Sequence, residues 1–229
     1  MKKLLIGIFL LFSTCVVSAY PLNGKPIGII GASATDGCEA PSSVAFGSPA
    51  FVYCLRHGSY LDMKTALTAK TNYPIVSAAQ AGAWSYNHTQ VTNVDYGYMA
   101  QYWQVDAPSY PAMSALIIDV VSECSGGLCS TTQENTENNT IQSVIDKAKF
   151  RNPAIKIIIT GYPVQPNNTC FNQAYASRFK VKWNGTVSGV TFVEPYNNIA
   201  MDSTDCHPTT AGMQQASTTL VNAINSLGL

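Results

Sequence analysis

The sequence predicts an α/β fold, a five-stranded parallel sheet sandwiched between two layers of helices. Three observations predict it. Five short apolar runs, most of them rich in Ile and Val with little alternation, are bounded by Gly, Pro and other turn residues, as strands covered on both faces are. Stretches with helical spacing lie between them, and no internal repeat or low-complexity segment breaks the alternation. A chain of 229 residues is long enough for one domain with a sizeable core.

Taken in order, residues 1–19 (MKKLLIGIFLLFSTCVVSA) join two lysines to an apolar stretch and end on small residues. This is the pattern of a cleavable secretory signal peptide, too short and too cleanly terminated for a membrane anchor. Phe12-Ser13-Thr14 ahead of Cys15 is a poor match to lipoprotein processing. A single domain, 20–229, is expected to be exported, secreted or periplasmic, and the Lys-Lys start looks bacterial. Strand one is PIGIIG (26–31), which ends in a loop of small residues around Ser33. A fainter helical pattern covers 55–70, and PIVSAA (74–79) is strand two. DYGYMAQYW opens a second fainter helix over 95–105, whose rings either pack on the sheet or line a sugar or acyl pocket. SALIIDVV (114–121) is strand three, and Asp119 inside it is expensive unless paired. The polar stretch 129–139 reads as a loop, followed by a helix on which Ile141, Val144, Ile145 and Ala148 share a face. AIKIIITG (154–161) and GVTFVEP (189–195) are strands four and five. The closing helix carries Met213, Ala216, Leu220, Ala223, Ile224 and Leu227 on one face, with Pro208 at its first position.

Composition removes several function classes. Without Lys2 and Lys3 the chain carries 11 basic against 13 acidic groups, a net of −2. Only 11% of residues are charged and no basic stripe is visible, so nucleic acid and anionic lipid surfaces have no electrostatic footing as partners. No second apolar stretch reaches spanning length, and a monomer without an integral membrane segment is expected. Six cysteines remain beyond the signal: Cys38, Cys54, Cys124, Cys129, Cys170 and Cys206. An even number in an exported chain argues for disulfides, and sequence order suggests Cys38–Cys54, Cys124–Cys129 and Cys170–Cys206. No metal is expected, because paired CxxC spacing is lacking and only His57, His88 and His207 could assist. No cofactor is expected either, since the first loop lacks the Ser/Thr- and Gly-rich run that holds a phosphate. Sequons at Asn87, Asn138, Asn167 and Asn184 matter only in a glycosylating host.

In open parallel sheets, functional groups gather beyond the carboxyl ends of the strands. Ser33 occupies that place after strand one, where Gly31 and Ala32 permit a tight turn and Gly37 gives freedom beyond it. A helix starting nearby would aim its free amides at charge developing beside Ser33; the competing expectation is that this serine merely caps that helix. MDSTDCHPTTAG places His207 directly ahead of the last helix, at the same edge. A serine hydroxyl needs an imidazole to take its proton, and the imidazole needs a carboxylate to hold its tautomer. Asp202 and Asp205 are both close enough in sequence to serve. His57 and His88 lie in polar, loop-like surroundings and read as surface residues.

These blocks resemble those of the SGNH, or GDSL-type, hydrolases. IIGASATDG resembles the first block, GDSxTxG, with Ser33 at the nucleophile position and Ala32 in place of an aspartate. SAAQAGAWS resembles the second, in which Gly82 would offer its amide to the oxyanion. DCHPTTAG resembles the last, with His207 as base. The resemblance runs from about Ile27 to the carboxyl end and implies a flavodoxin-like α/β/α sandwich that cleaves esters. Two blocks depart from the pattern. The third, GxND, is replaced by VVSECSGG, where Glu123 falls near the asparagine position, and an ionised carboxylate accepts hydrogen bonds rather than donating them. Loss of one such donor costs about 10²–10³ in turnover. Amides of Ser33 and Gly82, the Ser122 hydroxyl or amides of the 124–127 loop would then hold the oxyanion. In the last block Thr204 stands where the family has its aspartate. Asp205 fits if one residue has been deleted, and Asp202 fits if the loop bulges. Cys206 beside the base would pin this loop through a disulfide.

The expectation is an exported serine esterase that hydrolyses or transfers acyl groups of a small ester, a neutral lipid or an acylated sugar. The competing expectation is a non-catalytic binding or adhesion module that kept the fold and lost the oxyanion side chain.

Overall fold

Five runs of β-branched residues do form one sheet. In the computed structural model the described residues are 25–32, 35, 61–79, 97–106, 113–120, 130–161, 173–201 and 207–229. Among them the order is β1 (Ile27–Ile30), α1 (Met63–Thr68), β2 (Ile75–Ser77), α2 (Tyr98–Val105), β3 (Ala115–Ile118), α3 (Thr131–Arg151), β4 (Lys156–Thr160), α4 (Gln173–Trp183), β5 (Val190–Val193) and α5 (Thr210–Ser226). All strands pair in parallel, in the order β2-β1-β3-β4-β5. The direction of winding reverses between β1 and β3, and in open parallel sheets ligands bind beyond the carboxyl ends of the strands at such a reversal.

Alternation along the strands splits the core into two layers. Ile30, Leu116, Ile118, Ile157 and Ile159 face Tyr98, Tyr102, Ile141, Val144, Phe179 and Trp183 of α2, α3 and α4. Ile27, Ile29, Ala115, Ile117 and Ile158 face Met63 and Leu67 of α1 and Met213, Ala216, Leu220 and Ile224 of α5. The rings of Tyr98 and Tyr102 are therefore core and pack on the sheet, whereas Trp103 is exposed and Tyr96 lies outside the described residues. Among the described residues, no helix is long and apolar enough to cross a membrane.

Two sequence expectations need correction, and one helix adds to them. The stretch 129–139 is not a loop beyond Ser130: α3 starts at Thr131, where Ser130 Oγ accepts from Gln133 N–H and the Gln133 side chain accepts from Ser130 N–H, a capping box. Its polar residues face α4 rather than water alone. Tyr175 donates to the buried Glu137, Trp183 Nε1 donates to Asn138 Oδ1 at 2.8 Å, and Arg178 pairs with Glu134. The added helix is α4 itself, which separates the last two strands, with Tyr175, Ala176, Phe179 and Trp183 on its buried stripe. The second correction is that Pro208 is not the first residue of the last helix. Thr209 is the cap, its hydroxyl accepting from Gly212 N–H at 3.1 Å, and Pro208 stands outside in an isolated bridge with Met201. A proline has no N–H to offer, whereas a threonine hydroxyl satisfies one of the free amides of the first turn.

Candidate active site

The loop after β1 is fixed from both sides. Ile29 C=O accepts from Ala78 N–H beyond β2, and Gly31, two residues on, faces the same way. There the buried Gln101 of α2 replaces a strand: Gly31 N–H donates to its Oε1 at 2.7 Å, and its Nε2 donates to Gly31 C=O at 2.9 Å. A Cβ on Gly31 would stand 2.1 Å from Thr35 Oγ1. The glycine is thus what lets the chain fold back so that Thr35 lies over the strand end.

Thr35 reaches a buried carboxylate. Asp119 follows β3, is 0% exposed, and lies on the same face of the sheet as Ile117 and α5. Its Oδ2 accepts from Thr35 Oγ1 at 2.5 Å and from the Tyr196 hydroxyl at 2.6 Å. Its Oδ1 accepts from Thr160 Oγ1 at 2.5 Å, and that hydroxyl in turn accepts from Val120 N–H at 3.0 Å. Burial pushes the Asp119 carboxyl above the ordinary carboxylate range, and the three hydroxyls pull it back only in part. Burial, reinforced by the Asp119 charge, also holds the Tyr196 phenol well above its usual value. Among the described residues no cation pairs with Asp119.

Tyr196 belongs to the segment that leads from β5 to the last helix, so its bond draws that segment back over the middle of the sheet. Met201 and Pro208 pair in an isolated antiparallel bridge. Thr209 N–H and Oγ1 both donate to Ala200 C=O, at 3.0 and 3.1 Å. The helix start approaches this segment closely, because a Cβ on Gly212 would lie 1.9 Å from the Ala200 carbonyl oxygen. His207, partly exposed, stands next to this bridge.

Neither a family model nor a curated protein matches the sequence. Solved structures do. The chain is similar to a carbohydrate esterase family 2 enzyme plus carbohydrate binding domain from Corynascus thermopiles (Myceliophthora fergusii), at a TM-score of 0.62 and 16% identity over 90% of this chain and 67% of that one. It is similar to a family two carbohydrate esterase from Clostridium thermocellum in complex with cellohexaose, at 0.59 and 16% identity over 91% and 66%. It is also similar to a GDSL-like lipase from Bacteroides uniformis, at 0.51 and 11% identity over 88% and 96%. The chain has the SGNH-hydrolase fold. It spans about two thirds of the length of the two carbohydrate esterases.

Within the SGNH fold, the residues expected to do chemistry are described only in part. His207 is described; Ser33, Gly82, Ser122, Asp202 and Asp205 lie outside the described residues, as do His57, His88, Glu123 and the six cysteines. Asp119 is a bonded core position. The sequence reading passed over Gln101, Thr160 and Tyr196, and over Thr35 as a bonding group. Gln101 carried a signal, since it shares the helical stripe of Tyr98, Tyr102 and Val105, where a polar side chain must find a partner. A cavity of about 120 Å³ lies at the opposite, amino edge, lined in part by Tyr102, Asp106, Arg151 and Asn152; it has room for a few waters rather than a substrate.

Proposed function

We propose that this chain is an exported SGNH-type serine esterase, with Ser33 as nucleophile and His207 as base, acting on acylated carbohydrates by hydrolysis or acyl transfer. One observation carries the reading: the segments flanking Ser33 and His207 leave the same edge of an SGNH-type sheet and are tied to one carboxylate, through Thr35 and Tyr196. His207 takes the Ser33 proton as the hydroxyl attacks the ester carbonyl, and returns it to the departing alcohol. Asp205 or Asp202 orients the imidazole. Amides of Ser33 and Gly82, with Ser122, stand in for the asparagine that the third block lacks. Water, or an acceptor alcohol, then releases the acyl group. A carbohydrate ester is favoured because two similar structures are carbohydrate esterases, one of them with cellohexaose bound, and because a charged fraction of 11% suits a neutral substrate.

The test is turnover of nitrophenyl acetate and of acetylated xylan or cello-oligosaccharides by the mature protein. Ser33→Ala and His207→Ala should each remove nearly all of it, and one only of Asp202→Asn and Asp205→Asn should behave as a triad loss. Glu123 at the asparagine position motivates the second reading, a binding module. A folded protein that retains cello-oligosaccharides yet turns over none of these esters would establish that instead.

A further inference from the structure

We propose that Asp119 is a positioning residue of this site: by accepting hydroxyl hydrogens from Thr35 and Tyr196, it sets the loop carrying Ser33 against the segment leading to His207. The inference rests on the Ser33–His207 reading and adds a residue to it.

The residues that flank Ser33 in the chain are each held by a buried side chain. Ser33 lies two residues after Gly31, whose amide and carbonyl are both held by Gln101, and two residues before Thr35, whose hydroxyl is held by Asp119. On the other side, Tyr196 binds the same carboxylate oxygen as Thr35. From Tyr196 the chain runs to the Met201–Pro208 bridge beside His207. Thr160 on the second oxygen, itself bonded by Val120 N–H, fixes the plane of the carboxylate and lengthens a cooperative chain of bonds.

The choice of partners is itself informative. A buried carboxylate held by a cation is satisfied over a broad range of directions, because Coulomb attraction is not directional. Three hydroxyl donors satisfy it only in defined directions. Such an arrangement specifies where three segments sit, at a cost in desolvation that a neutral residue would avoid.

A matched pair of variants separates positioning from plain stability. Thr35→Val removes one hydroxyl from Asp119, and Tyr102→Phe removes one from the buried Asp106 at the far end of the sheet, where Tyr102 donates at 2.5 Å. The expected result is a similar fall in melting temperature for both. Thr35→Val alone should lower kcat and the rate of fluorophosphonate labelling at Ser33 by about 10-fold or more, with KM little changed and with Thr35→Ser restoring the rate. Equal rate losses in the two variants, or no rescue by Thr35→Ser, would overturn the proposal. Hydrogen exchange of Asp119→Asn gives a readout independent of turnover. Exchange should quicken in peptides spanning both 31–37 and 196–208, while 141–148 is unaltered; a change confined to one of the first two also overturns it. Absence of wild-type labelling at Ser33 would instead sink the nucleophile assignment, and the exchange result would still decide whether Asp119 couples the two segments.

Discussion

The two ends of this sheet each bury an aspartate, and they satisfy it differently. At the amino end, Asp106 receives the Tyr102 hydroxyl at 2.5 Å and Arg151 Nε at 3.2 Å, and the Arg151 side chain is about one third exposed. A partly exposed cation, which also donates to the Asp106 carbonyl at 3.0 Å, shares that charge. At the carboxyl end, Asp119 is sealed and meets only hydroxyls from three separate segments. A fold seeking stability alone would favour the first arrangement, or an apolar residue. Retaining the second beyond the carboxyl ends of β1 and β3, where the winding reverses, is what an edge whose segments must stand in fixed relation requires.

Substitutions at the two ends should differ accordingly. Asp119→Ala strands three buried hydroxyls at about 1–3 kcal/mol each, a fall in melting temperature on the order of 10 °C; an unchanged melting curve would erase the contrast. Gly212→Ala comes next. Its methyl group meets the Ala200 carbonyl, so the start of α5 must shift at about 1–3 kcal/mol, and turnover should fall more than stability accounts for if His207 moves with it. Asp106→Ala should cost about 1–2 kcal/mol, because Arg151 regains water, and should leave ester turnover as it was. A turnover loss there would show that the amino end matters to the site after all. Phe150, 86% exposed on α3, sets the baseline: Phe150→Ser should shift stability by no more than about 0.5 kcal/mol.

The same contrast governs what was legible in the sequence. The strands were readable because Ile157, Ile158 and Ile159, buried on both faces, leave a continuous apolar run that no exposed element needs. The first turns of α3 were not, because Glu134, Glu137 and Asn138 serve partners on α4, and a residue that satisfies another helix looks like one that satisfies water. In α4, Arg178, Lys180 and Lys182 fill the other faces of a helix whose buried stripe has only four residues, so little apolar signal marked it. Ser33 and His207 are proposed from their place beside turns at strand ends, a local signal. The network around Asp119 is not local. Its donors lie 84, 41 and 77 residues away in the chain, so the sequence marked the carboxylate as needing partners and held no pointer to Thr35, Thr160 or Tyr196.

The most direct test of the whole account is to treat the mature protein with a fluorophosphonate and locate the adduct by peptide mass spectrometry. The account predicts one phosphonyl group, on Ser33, whose rate of attachment collapses in His207→Ala while the circular dichroism spectrum is unchanged. A folded protein that takes no label, or takes it on another residue at a rate indifferent to His207, would contradict it.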